Sequence, residues 1–423
     1  MKVFKFGGAS VKDATAVKNV KTVLSKFNGP VVVVISAMGK TTNALEELVN
    51  AYFFKQGDAF AILQKVKKFH FDILDELFPS KSYHPIYNDI HNTFVEIEWE
   101  IEEEPQRSYD YVYDQIVAVG ELLSTKIVSA FLNEVGMNNH WVDARALIQT
   151  DNTYRKANVD WKLSTELVQA TIPNLLSQDH SLVITQGFIG SSSENFNTTL
   201  GREGSDFSAA IIAYCLDAES VTIWKDVPGM LNADPKWFDD TQQLKHISYY
   251  EAVELAYYGA TVIHPKTIKP LQNKNIPLMV KSFLNPELKG TLIDQRTEED
   301  RIIPSFIFKM NQVLISISAK DYSFIVEDNL SDIFKKLSAY NITVNLMQNA
   351  AISFSICVDF NPFTTQQFIK ELQQEYTVLY NENLELVTIR HYDEATIKRV
   401  TENKHIFVEQ KSRNTARFVM KDR

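Results

Sequence analysis

The sequence predicts an α/β protein: a mostly parallel sheet flanked by helices, followed by a smaller α+β region. Lys2–Phe6 alternates as a strand does and is followed by a glycine pair and a helix pattern. Val31–Ile35 is an unbroken run of β-branched residues, as in strands buried on both faces. After Ile293 the chain turns to short strand and helix patterns. These observations indicate parallel α/β units first and a separate α+β region after them.

The elements between these landmarks follow from periodicity. Residues 44–125 have a helical pattern rich in charges and aromatic rings, which predicts a helical lid segment. Further strands are predicted at 140–142, 181–185, 221–224 and 277–281, and a helix at 248–258. Another helix is expected to begin at Ser205 or Asp206, because a short side-chain oxygen there would accept from free backbone N–H groups.

The α+β region begins after a charged linker at 296–301. A β-α-β-β pattern covers 313–358, and a helix follows at 362–375. A second, weaker copy begins at 384–389 and continues with a helix near 394–401 and strands near Ile406 and Ala416. We predict two domains, 1–293 and 303–423, the second being a tandem with a short second unit.

The composition is that of a globular protein and argues against nucleic-acid and membrane partners. The 423 residues are 45% hydrophobic and 23% charged, as in globular proteins of two or three domains. The net charge of −10 argues against a nucleic-acid partner. We expect no signal peptide, no apolar stretch of bilayer length and therefore no membrane partner, and a cytoplasmic location. Cys215 and Cys357 lie in apolar stretches without metal-ligand spacing, so no metal ligand is assigned to the protein.

Polar residues at the predicted strand ends are candidates for chemistry, because ligands of open α/β sheets bind there. Lys5 beside the glycine pair can reach a phosphate, and Glu121 offers a carboxylate to an amine. Arg202 precedes a helix N-terminus, where anions bind, and its guanidinium suits a carboxylate or phosphate. Gly39-Lys40-Thr41 lacks the first glycine of a P-loop, and no G-x-G-x-x-G follows a strand.

The order of the motifs resembles that of aspartate kinases. Those that carry the resemblance are Lys5-Phe-Gly-Gly-Ala-Ser-Val11, Ser36-Ala37, Gly120-Glu121, Thr199-Leu-Gly-Arg-Glu-Gly-Ser-Asp206, Trp224-Lys-Asp-Val-Pro-Gly-Met230, Ala233-Asp-Pro235 and Tyr258-Gly-Ala-Thr-Val-Ile-His-Pro265. The resemblance covers the first 293 residues. It implies an amino-acid-kinase fold and transfer of the ATP γ-phosphoryl group to the β-carboxylate of L-aspartate, with Mg²⁺ bridging the phosphates.

The resemblance also implies a role for each matching residue. Lys5 and Asp206 are the expected catalytic residues. The expected aspartate-binding residues are Ser36, Thr42, Glu121, Arg202 and Ser205. The expected nucleotide-binding residues are Gly7, Gly8, Ser10, Lys225, Asp226, Leu231, Lys236 and Thr261.

Several positions depart from the family's commonest pattern. Glu203 stands where glycine is usual, and its carboxylate lies next to Arg202 in the sequence. The other departures are Lys225 in place of the usual threonine, Leu231 in place of tyrosine, Lys236 in place of arginine and Thr261 in place of a basic residue. These departures concern the details of nucleotide contact, whereas Lys5, Glu121, Arg202 and Asp206 are retained.

The C-terminal tandem resembles the pair of ACT domains found in these enzymes. The resemblance implies an amino-acid effector, lysine or threonine, and a homodimer formed through this region. Candidate effector residues are Asp321, Phe324, Val344 and Asn345. The simpler interpretation puts Phe324 and Leu346 in the core and Asp321 in a turn, and the sequence does not separate the two.

Two alternatives to an aspartate kinase stay open. One is a kinase of the same fold that acts on glutamate or a related acid, against which the lid segment and the ACT-like tail argue. The other is an amino-acid sensor that uses the ACT pair and has a kinase part weakened by Glu203 and Thr261.

Overall fold

The computed structural model describes residues 1–79, 83–177, 182–238, 240–260, 263–321 and 323–423. These residues form two compact units, each with its own core. The first comprises 1–230, 243–253 and 263–299, and the second comprises 231–242, 254–260 and 300–423. The sequence analysis placed the two segments of the second unit that precede residue 300, 231–242 and 254–260, in the first domain.

The strands up to residue 299 are β1 (Lys2–Phe6), β2 (Val31–Ile35), β3 (His140–Val142), β4 (Gln149–Thr150), β5 (Leu182–Gln186), β6 (Ile189–Ser192), β7 (Asn197–Thr199), β8 (Ser220–Lys225), β9 (His246–Ser248), β10 (Leu278–Ser282) and β11 (Thr291–Asp294). Among the described residues, eight of them form one sheet in the order β3-β5-β2-β1-β8-β10-β11-β9. All neighbours run parallel except β10 and β11. The remaining three, β4, β6 and β7, form a small second sheet. The predicted mostly parallel sheet is confirmed.

The helices up to residue 299 are α1 (Ala14–Leu24), α2 (Thr41–Phe54), α3 (Ala59–Leu77), α4 (Pro85–Glu102), α5 (Tyr109–Val117), α6 (Val119–Glu134), α7 (Trp161–Leu176), α8 (Gly204–Cys215), α9 (Tyr249–Tyr258) and α10 (Pro265–Asn273). The predicted helical segment at 44–125 is confirmed and consists of α2 to α6. Its apolar stripes face one another and the sheet, since the buried residues of α2, α3, α4 and α6 belong to the same core as those of β1 and β2.

The prediction that no apolar stretch approaches bilayer length is wrong for one segment. Tyr109–Glu134 spans 26 residues and contains an 18-residue stretch with a mean hydropathy of 1.4, which is enough to cross a bilayer by length and composition. However, 83% of this stretch is buried inside the protein, as in the core helix of a globular protein. Burial against neighbouring helices therefore accounts for its apolar character.

The predicted N-cap of α8 is also wrong. The helix begins at Gly204, and its N-cap is Glu203, which has a left-handed backbone (φ 55°) and no side-chain cap bond. Packing decides this start, because a β-carbon on Gly187 would lie 2.5 Å from that of Ser205. The Asp206 side chain is drawn away from the helix end by Lys5, whose Nζ lies 2.7 Å from it.

The second unit contains β12 (Ser305–Ala319), α11 (Glu327–Ala339), β13 (Val344–Asn349), β14 (Ser353–Asp359), α12 (Thr364–Glu375), β15 (Tyr376–Arg390), α13 (Glu394–Thr401), β16 (Lys404–Lys411) and β17 (Thr415–Asp422). Its described strands form an antiparallel sheet in the order β13-β14-β12-β15-β17-β16. Two β-α-β-β units thus join into one sheet through the pairing of β12 with β15. The predicted tandem of small α+β units is confirmed.

Candidate functional site

A cleft of about 920 Å³ lies at the carboxyl ends of β1 and β2. Its walls come from these strand ends, from α2, α5 and α6, and from the turn before α8. It brings together the seven residues for which the resemblance implies catalysis or aspartate binding, namely Lys5, Ser36, Thr42, Glu121, Arg202, Ser205 and Asp206. Parallel strand register explains part of this grouping, because Lys5 on β1 pairs with Val34 on β2 and with Ile223 on β8.

An ion-paired cluster joins Lys5 and Asp206, which line the cleft, to Lys225. Lys5 Nζ lies 2.7 Å from Asp206 Oδ1, and Lys225 Nζ lies 3.5 Å from Oδ2. Burial alone would raise the pKa of the Asp206 carboxyl, but the two lysines outweigh it and leave the pKa below its ordinary value. The carboxylate therefore stays ionised and holds two cationic groups at the ends of neighbouring strands.

Glu121 is a buried carboxylate with spare hydrogen-bonding capacity. Its Oε1 accepts from the Ala37 N–H at 3.3 Å, whereas Oε2 has no hydrogen-bond partner among the described residues. Burial raises the pKa of Glu121 to about 8, although that N–H and the charge of Lys5 act in the opposite direction. Such a carboxyl is poised to receive a cationic group, which would restore its charged form.

The loop after β2 carries Ser36 and leads into α2, where Thr42 lies in the first turn. This loop lies against Gly8: a β-carbon there would lie 2.7 Å from the Gly39 carbonyl oxygen and 2.8 Å from that of Ala37. The Gly39 N–H also donates to the Gly8 carbonyl at 3.0 Å. A close approach of two backbones, which only glycine permits here, therefore aligns the turns after β1 and β2.

Arg202 is exposed at the cleft and makes no ion pair with any described residue. Glu203 also lines the cleft, and the two side chains form no ion pair with each other. The guanidinium of Arg202 is thus available to an anion despite the neighbouring carboxylate.

The expected nucleotide-binding residues fall into three groups. Gly7, Gly8, Ser10, Lys225 and Asp226 lie at or just beyond the ends of β1 and β8, and the Ser10 hydroxyl is 3.5 Å from the Trp224 carbonyl oxygen. Leu231 and Lys236 lie in the second unit, and Thr261 lies outside the described residues. The roles of these residues stay predictions. Within the described ranges, no group of three or more His, Cys, Asp or Glu side chains is arranged to hold a metal ion.

Sequence reasoning missed part of the cleft wall. Arg155 has a left-handed backbone (φ 65°), and its guanidinium lies 4.4 Å from the centre of the Tyr113 ring. Asp114 is buried beneath it, and burial raises the pKa of this carboxyl to about 6 although three hydrogen bonds oppose the shift. These residues come from α5 and from the loop before α7, and their proximity depends on tertiary packing that no local pattern reveals.

The candidate effector residues of the second unit occupy different environments. Asp321 accepts from the Ser323 N–H at 3.0 Å in a turn, Phe324 is 68% exposed and Val344 is half-buried. Asn345 is buried; its side-chain amide accepts a hydrogen bond from Lys309 and donates to Gln312 and Asp359. The simpler interpretation holds for Asp321 and for the buried Leu346 but not for Phe324. The effector role of the four stays a prediction.

Comparison with known proteins places this geometry in a family. Residues 1–282 match the model of the amino acid kinase family. The chain is 32% identical to the lysine-sensitive aspartokinase 3 of Escherichia coli over 396 residues, which are 92% of this chain and 86% of that protein. It is 31% identical to the chloroplastic aspartokinase 3 of Arabidopsis thaliana, with 88% and 67% of the two chains covered.

Solved structures agree with the sequence comparisons. The E. coli aspartokinase III in complex with lysine and aspartate superposes with a TM-score of 0.83 at 30% identity, covering 99% of this chain and 95% of that one. The same enzyme with aspartate and ADP gives 0.81 at 29% identity, covering 99% and 96%. The chain therefore belongs to the amino acid kinase family and, within it, to the aspartokinases.

Proposed function

We propose that this protein transfers the γ-phosphoryl group of ATP to the β-carboxylate of L-aspartate. One carboxylate oxygen bonds to the γ-phosphorus while the bond from that phosphorus to the bridging oxygen breaks, which gives 4-phospho-L-aspartate and ADP. The attacking carboxylate is already ionised at neutral pH, so no general base is needed. Catalysis then depends on positioning and on stabilising the charge of the transferring group.

The observation that carries this proposal is a buried carboxylate and a lysine–aspartate ion pair in one cleft. Glu121 Oε2 has no described partner, and the Lys5–Asp206 pair lines the same 920 Å³ cleft. An α-amino group matches the carboxylate, and a phosphoryl group matches the lysine. A substrate that carries both an amine and a phosphoryl acceptor fits this combination.

The other cleft residues have roles that follow from their chemistry. Arg202 binds the substrate α-carboxylate through its guanidinium fork. Ser36, Thr42 and Ser205 donate hydrogen bonds to substrate oxygens. Asp206 orients Lys5 toward the transferring phosphoryl group through their ion pair of 2.7 Å.

The nucleotide lies on the side of β1 and β8. Gly7, Gly8, Ser10, Lys225 and Asp226 are the proposed contacts of the first unit. For Leu231, Lys236 and Thr261 the nucleotide role is what the resemblance implies. Mg²⁺, when bound with the nucleotide, would neutralise phosphate charge. The Asp206 carboxylate is already bound by two lysines, so this ion is expected to be held mainly by phosphate oxygens.

The second unit is proposed to bind an amino-acid effector, lysine or threonine, and to form a homodimer. Lysine is favoured because the E. coli enzyme, which resembles this chain over its length, is named as lysine-sensitive. We also propose a cytoplasmic location and a place in the synthesis of lysine, threonine and methionine.

Hydroxylamine trapping tests the reaction, because an acyl phosphate reacts with hydroxylamine to give a hydroxamate. The full chain is incubated with ATP, Mg²⁺ and hydroxylamine, together with L-aspartate, L-glutamate or no acid. We expect hydroxamate with aspartate only, and none from Lys5→Ala although that variant stays folded. Product from glutamate alone would favour a related acid kinase, and product from Lys5→Ala at the wild-type rate would refute the role of Lys5.

A further inference from the structure

Asp114 lies on α5 and is fully buried, yet it makes no ion pair with any described residue. Its carboxylate instead accepts three hydrogen bonds from two separate segments of the cleft wall. Oδ2 accepts from the Arg155 N–H at 2.9 Å and from the Thr199 N–H at 2.8 Å. Oδ1 accepts from the Thr199 hydroxyl at 2.7 Å.

The two segments that Asp114 joins also contact each other. The Ala157 N–H donates to the Thr199 carbonyl at 3.0 Å. A β-carbon on Gly201 would lie 3.1 Å from the Arg155 carbonyl oxygen, so the turn that carries Arg202 packs directly on the Arg155 turn. A shift of one turn would therefore move the other.

The Arg155 turn needs an anchor, because its backbone is strained. A non-glycine residue with a φ of 65° is disfavoured, and surrounding contacts must hold it in place. Its guanidinium contacts α5 as well: it lies over the Tyr113 ring, and an ion pair of 3.3 Å joins it to Asp110. The Asp114 carboxylate fixes the amide at the centre of this arrangement.

We propose that Asp114 is a positioning residue for the acidic substrate. Its hydrogen bonds join the Arg155 turn to Thr199 and thereby fix the position of Arg202, which lies in the turn after Thr199. This inference rests on the proposed function, since it takes Arg202 as the carboxylate clamp. Asp114 acts through the turns it holds and does not touch the substrate itself.

The test measures KM for L-aspartate and KM for ATP separately in the hydroxamate assay. Asp114→Leu removes both acceptor oxygens, and with them all three hydrogen bonds, and should raise KM for aspartate about tenfold or more, because small misplacements of binding groups are costly. KM for ATP should change less than about twofold, since Lys225 and the glycine turn lie on other strand ends. Asp114→Asn keeps one carbonyl acceptor and should raise KM for aspartate only about threefold.

Two further variants separate positioning from general stability. Thr199→Val removes only the hydroxyl bond and should also raise KM for aspartate about threefold. Gln115 is the matched control, because it lies on the same helix and bonds the same strand at Asn197 without touching Arg155. Gln115→Met should lower the melting temperature and leave KM for aspartate unchanged.

The outcomes are distinct. If Asp114→Leu does not fold, Asp114→Asn and Thr199→Val decide the question by the same KM comparison. Unchanged KM for aspartate in the folded variants, or equal changes for both substrates, would overturn the inference and leave the proposed function intact. No hydroxamate from the folded wild-type protein would overturn the proposed function and this inference with it.

Discussion

Glu121 shows at the scale of a single residue how a binding site lowers stability. Burial raises its pKa to about 8, compared with 4.5 for an ordinary glutamate. The folded protein binds the Glu121 proton more tightly than the unfolded chain does. The contribution of this proton to the free energy of unfolding is therefore complete below about pH 4.5 and is lost as pH rises through about 8. Glu121→Gln should therefore raise the free energy of unfolding by about 1–3 kcal/mol at pH 8.5 and have little effect at pH 5.

Thermal melts at the two pH values check this prediction. The control is Glu47→Gln, which replaces an exposed glutamate on α2 and should melt as the wild type does. Equal melting temperatures for Glu121→Gln and wild type at pH 8.5 would contradict a buried, charge-penalised carboxyl at this position.

Lys225 is a second cation on Asp206, beside Lys5. If it faces the nucleotide, Lys225→Met should raise KM for ATP about tenfold and leave KM for aspartate within about twofold. Steady-state kinetics with each substrate varied in turn measure both constants. Lys245→Met removes an exposed lysine of the same unit and should change neither. A rise confined to KM for aspartate would contradict a contact between Lys225 and the nucleotide.

Glu203 combines a strained backbone with an acidic side chain in the cleft. Its φ of 55° suits glycine, so Glu203→Gly should relieve strain and change stability by less than about 1 kcal/mol, because glycine also gains unfolded-state entropy. Removal of the carboxylate should strengthen binding of anionic aspartate and lower its KM about two- to threefold. Kinetics and a denaturant melt measure the two effects, and a higher KM would mean that Glu203 supports binding.

At the scale of elements, the site depends on two backbone turns that touch. Gly8→Ala would place a β-carbon 2.7 Å from the Gly39 carbonyl oxygen, and neither backbone can yield cheaply. We expect a loss of about 1–3 kcal/mol in stability and at least a tenfold loss in kcat/KM. Ala9→Gly alters the neighbouring, exposed position and should reduce kcat/KM less than about twofold. Wild-type kinetics for Gly8→Ala would show that the close contact between the Gly8 and Gly39 backbones does not align the site.

Periodicity and composition predicted most elements, but not every boundary. Strong patterns such as Val31–Ile35 mark strands correctly because burial on both faces leaves only apolar residues. The start of α8 was missed because packing against Gly187 and the attraction between Asp206 and Lys5 override the capping preference. The cleft followed from strand ends, whereas the contacts of Asp114 join residues 41 and 85 positions apart and leave no local signal.

At the scale of the whole molecule, the second unit exposes large apolar side chains, among them Leu379 on β15, which is 71% exposed. If this unit forms the homodimer, Leu379→Glu should shift the protein toward monomer in analytical ultracentrifugation with little change in unfolding free energy. Leu284→Glu is the control, because Leu284 is 60% exposed in the first unit. An unchanged dimer in Leu379→Glu would exclude this surface.

The central claim is that one cleft pairs a buried carboxylate for the substrate amine with a lysine for the transferred phosphoryl group. Hydroxamate formation with L-aspartate and with succinate, which lacks the amine, tests it most directly. The wild-type protein should prefer aspartate by at least about a hundredfold in kcat/KM, and Glu121→Gln should lose most of that preference. Equal use of the two acids by the wild type, or an unchanged preference in Glu121→Gln, would contradict this account.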